Sequence, residues 1–419
     1  RNTQTTIPDG STTAIFYRFG ADRAGQTQFE TEVRDANVNA SLPGAVKFAY
    51  RDVRELITAV KERTATADLW TSYAYDALKQ ITQVVDDKSN LTKVSYDNFG
   101  RRTTINNPDT GQTDTVYDLA SNVTAKITAT LRPQAKQIAY DYDFTRLKSV
   151  TYPVNTGNNI TYTYGAVGAP NNTAGRITKI TSQMGTEDRQ YGKLGEVTYE
   201  KKTVVTFTTP QTPEVYETRY QYDTFGRLQV LTYPDGEVLT YQYDSGGDLQ
   251  SAEGLKGTPS SGGLYRYGYL KNLSYDKFEQ RVLLDAGNSI KTAYTYNAQT
   301  RRLSNLTAGK GTGNLFQNLI YSYDKVGNIL GLQNNVPVPP PSQYGGPTNQ
   351  TFVYDQLYRL TQAQGTYQYA PNKTHTYNLD LVYDSIHNIT RKNQLHTIVQ
   401  PSQQAITQKK TTYDWTYAY

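Results

Sequence analysis

Cysteine is absent from this chain, so no disulfide scaffold, thiolate metal site or cysteine nucleophile can form. Histidine is scarce: there are 3, His375, His387 and His396, none within four residues of another. No carboxylate-rich helical pattern surrounds them, which speaks against a metal centre. No apolar run in the sequence approaches the ~18 residues of a membrane span. An excess of one charge is missing too, since 43 Lys and Arg face 38 Asp and Glu and leave a net +5. A nucleic-acid groove needs basic residues gathered on one face, so nucleic acid is not expected as a partner. A Gly-x-Ser-x-Gly elbow, a phosphate-binding loop and a His-Glu-x-x-His pair are likewise absent. No catalytic residue, cofactor or metal ligand can therefore be named.

What the chain has is tyrosine, 37 in 419 residues, against an overall hydrophobic content of 37%. At roughly 25 cal/mol per Å² and ~150 Å² or more per ring, each tyrosine offers a few kcal/mol of gross burial. The rings supply what the aliphatic residues do not. A hydroxylated ring suits a wall packed along the ring body and wet at its tip.

The tyrosines follow a pattern, written most clearly in Tyr220-Gln221-Tyr222-Asp223-Thr224-Phe225-Gly226-Arg227-Leu228. Tyr220 and Tyr222 are two apart and share a strand face. Asp223 can hydrogen-bond the backbone two residues on, and Gly226 can take positive φ without steric cost. Simple alternation after the turn puts Leu228 and Val230 on one face, Arg227 and Gln229 on the other. The unit is a hairpin with one greasy side.

Copies recur along most of the chain: Tyr96-Asp97 with Gly100, Tyr142-Asp143, Tyr243-Asp244, Tyr323-Asp324 with Gly327, Tyr354-Asp355 and Tyr383-Asp384. Tyr294-Thr295-Tyr296-Asn297 and weaker versions at Tyr75-Asp76, Tyr117-Asp118 and Tyr191-Gly192 obey the same rule. Asp97 to Asp118 and Asp223 to Asp244 are steps of 21 residues, Asp324 to Asp355 a step of 31. Elastic spacing of this size marks a repeat architecture whose variation falls in the turns. Recurrence also argues against reading the Tyr-Asp pairs as acid/base dyads, because a turn former is needed at every turn and a catalytic pair once. His387 stands where Gly226 and Gly327 stand and is read as a turn residue. Arg227, Arg301, Arg302 and Arg359 follow tyrosines and are placed to stack on neighbouring rings.

These units resemble the RHS or YD-repeat family, the tyrosine-aspartate repeat proteins of bacteria, with the teneurins as animal relatives. The stretch from Asp276 through Asp324-Lys325-Val326-Gly327 to Tyr354-Asp355 is similar to the shell region of insecticidal toxin-complex B/C components and polymorphic RHS toxins. The resemblance implies an all-β fold of repeated antiparallel hairpins in a continuous, spiralling sheet, a segment of a shell. It implies a non-catalytic wall that encloses an effector polypeptide, with that effector or other shell segments as partners and a secreted or cell-surface bacterial location. An extracellular adhesion module binding glycan or protein by its outer face is the alternative. No Asp-Pro dipeptide occurs, so the family's self-cleavage motif is missing from these residues.

Residues 1–70 are expected to be degenerate repeats, and 71–419 a repeat sheet without a true internal boundary. Within Ala45 to Thr64 a helical spacing of Val53, Leu56, Ile57 and Val60 competes with the repeat frame, and Tyr50-Arg51-Asp52 favours the repeat. Asp35 to Ala40 reads as a turn. Glycine, proline and asparagine mark surface loops at 165–175, 254–263 and 334–349, the last carrying Val336-Pro337-Val338-Pro339-Pro340-Pro341. The opening at Arg1 and a close part-way through a unit at Tyr419 suggest a fragment of a longer polypeptide.

Overall fold

The computed structural model describes residues 1–39, 44–205, 212–257, 263–311, 313, 315–340, 345–370, 372–400 and 403–419. Among these are 33 β-strands, one four-residue α-helix at Ala36–Asn39 and two short 3-10 turns, Arg132–Gln134 and Thr156–Asn158. They form two compact units, one of residues 1–93, 275–283 and 289–419, the other of 94–274 and 284–288.

Both units are built in the same way. Strands consecutive in the chain pair antiparallel: Val46–Arg51 with Ile57–Arg63 in the first unit, Pro213–Tyr222 with Leu228–Thr232 and then Val238–Tyr243 in the second. Sequential pairing keeps connections short and gives each strand ladder partners on both sides, so few edges remain open. The all-β antiparallel class implied by the repeats is the one observed. The Ala45 to Thr64 stretch forms two strands around a turn at Asp52–Leu56, because the aspartate satisfies that turn's backbone better than a helix would.

One expectation is corrected by the register. Gln221 faces Val230 and Tyr222 faces Leu228, so Gln229 is extra, a β-bulge. Tyr220 faces Leu231, and the aliphatic side chains on the tyrosine face are Leu228 and Leu231, not Leu228 and Val230. A bulge flips the alternation beyond it, which a period-2 reading cannot show. The same shift precedes Tyr75, Tyr117, Tyr243, Tyr323, Tyr354 and Tyr383.

The connections vary most. Between strands Ile160–Tyr164 and Ile177–Ser182 the chain is a loop with one isolated bridge, Gly165 to Ala174. Strand Leu249–Gly257 runs into the expected 254–263 loop, of which 258–262 lie outside the described residues. Strands Ile329–Asn334 and Thr348–Tyr354 bound the proline-rich segment, of which 341–344 lie outside them, as does Ala40 of the expected Asp35 turn.

Deep burial is confined to a few places. In the first unit Phe48, 2% exposed, packs with Tyr50 and Ala59, and Trp70 stacks on Tyr50 at 5.4 Å between centroids. Lys61 Nζ lies 4.0 Å from the Phe48 centroid. Burial, then the neighbouring Glu30, pushes the Tyr50 phenol up. In the second unit Ala125, Val150, Leu239, Ala252 and Leu273 are buried, each from a different strand.

Two substitutions of the same chemistry separate packing from exposure. Phe48→Ala is expected to cost about 3–5 kcal/mol in equilibrium urea unfolding, whereas Phe225→Ala, at an exposed turn tip, should change stability by less than about 0.5 kcal/mol.

Candidate functional site

The recurrent element is the Tyr-Asp turn. In Asp223-Thr224-Phe225-Gly226-Arg227 the aspartate Oδ1 accepts the N–H of Phe225 at 2.9 Å and of Arg227 at 3.0 Å. Its backbone closes the same loop, Asp223 N–H donating to Arg227 O and Gly226 N–H to Asp223 O. Gly226 has φ +77°, the left-handed region that favours glycine. Asp97 holds Phe99 and Arg101 in this way, Asp355 holds Leu357 and Arg359, and Asp384 holds Ile386 and Asn388. Asp324 accepts from Val326, Gly327 and Asn328, and Asp244 from Gly246 and Asp248. The left-handed position is filled by Gly100 and Gly327, by Tyr358 and by His387, whose φ is +73°. Asp143 departs from the pattern: it ends its strand, Phe144 takes the positive φ, and Arg146 pairs with its carboxylate.

The second aspartate oxygen is used as well. Asp97, Asp223 and Asp355 Oδ2 each take the Nε–H of the arginine four residues on, at 2.7 Å. The guanidinium then reaches the next turn: Arg101 donates to Asp118 O at 2.8 Å and Arg359 to Asp384 O at 2.9 Å. It also lies over the next tyrosine, Arg227 over Tyr243 at 4.5 Å and Arg359 over Tyr383 at 4.7 Å. One aspartate thus shapes its own turn and, through arginine, fixes the neighbouring one.

Tyrosine completes the link. Tyr243 Oη donates to Leu228 O at 2.7 Å, Tyr323 to Leu303 O at 2.8 Å, Tyr354 to Ile329 O at 3.0 Å and Tyr383 to Leu360 O at 2.8 Å. Each acceptor opens the return strand of the preceding hairpin, where its ladder has run out. These hydroxyls are fastened to backbone, and the expectation of wet tips does not hold for them. Burial pushes the phenols of Tyr142, Tyr222, Tyr243, Tyr323, Tyr354 and Tyr383 up. Tyr96 precedes Asp97 at the end of strand Leu91–Tyr96.

The turns share one edge. Successive Tyr-Asp turns are two strands apart in an antiparallel order, so within each unit they open on the same side, and the other connectors on the opposite side. In the first unit the two kinds of edge meet. Asn37 Nδ2 donates to Asp324 Oδ2 at 2.8 Å and its Oδ1 accepts the Lys325 N–H at 3.0 Å. Tyr358 Oη bonds Asp35, Ala65 N–H donates to Gln356 Oε1 at 3.3 Å, and Lys88 Nζ lies 2.5 Å from Asp384. Asn37 is 1% and Asp324 7% exposed, so this is a buried polar seam between residues 287 apart in the chain. Sequence reading missed it, because no local pattern specifies which connector meets which turn.

It also missed a histidine pair. Pairing of strands Lys373–Tyr383 and Ile389–Gln400 brings His375 Nδ1 to 2.8 Å from His396 Nε2. His387 lies apart, 3.9 Å from Glu62. Among the described residues no group of three or more His, Asp or Glu side chains could hold a metal ion, and none of their helices is long and apolar enough to cross a membrane.

With this geometry in view, the comparisons are specific. A model described as RHS Repeat matches residues 75–112 and 222–255. Toxin subunit YenC1 of Yersinia entomophaga is 33% identical over 162 residues, 37% of this chain and 16% of that protein. Toxin subunit YenC2 of the same organism is 31% identical over 159 residues, again 16% of its length. The chain therefore spans less than a fifth of the relatives it matches. A crystal structure of TcdB2-TccC3-TEV superimposes with a TM-score of 0.79 at 19% identity, over 99% of this chain and 22% of that one. A Photorhabdus luminescens Tc holotoxin pore gives 0.80 at 19% identity, over 99% and 21%. These structural likenesses show a shared fold.

The turn carboxylates set an acid limit. Burial opposes ionisation of Asp384, but the Lys88 ammonium and the Asn388 N–H hold its carboxyl down at about 2, against an ordinary 3.8. Asp52, Asp97, Asp118 and Asp223 are also lowered, against opposing burial, by bonds from their own turns, and Asp324 first by Asn37 across the seam and then by its own turn. A depressed carboxylate adds stability that is present above its unfolded value and lost as pH falls toward the folded one. The urea midpoint is therefore expected to hold at neutral pH and to drop as pH falls from 3.8 toward about 2. Lys88→Met should lower the midpoint at pH 7, with the deficit closing as Asp384 protonates; a deficit independent of pH would contradict this.

Proposed function

We propose, for a chain that belongs to the RHS/YD-repeat family, that it is a non-catalytic wall segment of a toxin-complex shell and that the shell encloses an effector polypeptide. One observation carries the reading: the polar groups that recur in the repeat are consumed in joining hairpin to hairpin. Aspartate is spent on its turn, arginine on the next turn, and the tyrosine hydroxyl on the preceding strand. Such a set of side chains extends a sheet and leaves no reacting group in the repeat itself.

Likeness over 99% of the chain to a structure named as a Tc holotoxin pore supports the same reading, as does identity to two toxin subunits. A wall of this kind needs breadth without gaps, and paired strands provide that because each hides its neighbour's backbone edge. It also needs a face without one strong binding site. Strand residues opposite the tyrosines, such as Arg219 and Gln221, are exposed and polar and would meet an unfolded polypeptide by many weak contacts. A secreted toxin complex is the setting this role implies.

Protease protection tests the proposal. Purified with the other subunits of its complex, the chain should leave an enclosed effector uncut under conditions that digest the effector alone. Digestion of the effector at the same rate with the shell intact would overturn it.

A further inference from the structure

The Tyr-Asp edge is covered in one place and bare in another. Most of these turns carry a large apolar residue one or two positions after the aspartate, or after Gly192 where glycine replaces it; the Asp244 turn, with Ser245 and Gly246, does not. In the C-terminal part of the first unit these are Val326, Leu357 and Ile386, and all three are half-buried. What covers them is the connector edge of the N-terminal strands of that unit, through Asn37, Asp35, Ala65 and Lys88. In the second unit the equivalent tips are Phe99, Leu119, Phe144, Leu194 and Phe225, and their exposure runs from 79% at Phe99 to 99% at Leu119. A regular row of bare Phe and Leu is the mark of an interaction surface.

The first unit shows what such a row accepts. The seam is heterologous, turn edge against connector edge, and a heterologous contact leaves a free turn edge at one end and a free connector edge at the other. It also has a direction. The covering residue precedes the covered one by 287 positions for Asn37 and Asp324, 291 for Ala65 and Gln356, and 296 for Lys88 and Asp384. No residue of the 419 lies that far ahead of Leu119 or Phe225.

We propose that the turn edge of the second unit, with Leu119, Phe144, Leu194 and Phe225 at its tips, is the docking seat for the connector edge of a preceding row of Tyr-Asp repeats in the toxin-complex shell. The inference rests on the shell reading above and adds which edge of the chain is joined, by what, and from which side. The occupant brings short polar connectors that satisfy the turn backbone, as Asn37 does at Lys325, and covers the apolar tips at the same time. Each is needed: the backbone bonds set the register, and the tips supply the area removed from water.

The chain has no native cysteine, so single cysteines report accessibility directly. In the chain alone, Phe144→Cys and Phe225→Cys should react with a maleimide at the rate of a free thiol. Leu357→Cys and Ile386→Cys should be slowed by about tenfold or more, as for sites that require local opening. In the assembled shell Phe225→Cys should slow by a similar factor relative to its rate in the chain alone. Equal rates for all four cysteines in the chain alone would overturn the proposal, as would a Phe225→Cys rate unchanged by assembly. Protection of Phe225→Cys that appears in the chain alone as its concentration rises would assign the edge to a second copy and also overturn it. Effector protection with an unprotected Phe225→Cys would leave the shell reading standing and remove this seat.

Discussion

A carboxylate accepting two backbone N–H groups across a five-residue turn is the interaction on which the rest of this structure depends. Without it the turn would leave polar backbone unpaired at the sheet edge, and the hairpin would lose its fixed exit direction. With it, the left-handed residue is held in place, and the arginine or asparagine four positions on is aimed at the next turn. The tyrosine of the following hairpin then finds the one carbonyl that its neighbour's ladder has left free. Turn, arginine and tyrosine form a chain of dependencies that repeats along the protein. This explains why the motif pairs tyrosine with aspartate, since each residue satisfies backbone that the other's hairpin exposes.

Much of this was legible in the sequence. The Tyr-x-Tyr-Asp spacing predicts strand then turn, Gly226 and Gly327 mark the positive φ, and His387 in the same slot adopts it at +73°. What was not legible has physical reasons. The bulge at Gln229 is a consequence of the turn's geometry, and it overturns the alternation that would have paired Val230 with Leu228. Tyrosine was read as wet at its tip because a hydroxyl in isolation prefers water; its bond to Leu228 O depends on a strand that local sequence does not reveal. The Asn37 to Asp324 seam and the His375 to His396 contact join residues whose meeting is set by how many hairpins intervene. A sequence pattern with elastic spacing does not encode that count.

The hierarchy of edges bears on function. Ladder bonds and tyrosine links join strands side by side, and they depend on residues present in nearly every repeat. The seam in the first unit joins turn edge to connector edge by particular residues, Asn37, Lys88 and Tyr358 among them. The first level extends a sheet indefinitely and the second decides which stretches stack. A protein with this division can vary connector length, as at 165–175 and after Asn334, without disturbing the repeat. It keeps its specificity at the edges, where loops tolerate change.

Backbone amide hydrogen exchange tests the central claim most directly. The Arg101, Arg227 and Arg359 amides sit in turns at the sheet edge, where little but the aspartate Oδ1 shields them from solvent exchange. The account predicts that they exchange far more slowly than the same amides in an unstructured peptide, and that Asp223→Ala frees Arg227 while leaving Arg101 and Arg359 protected. Free-peptide exchange at all three, with the flanking strands still protected, would contradict it.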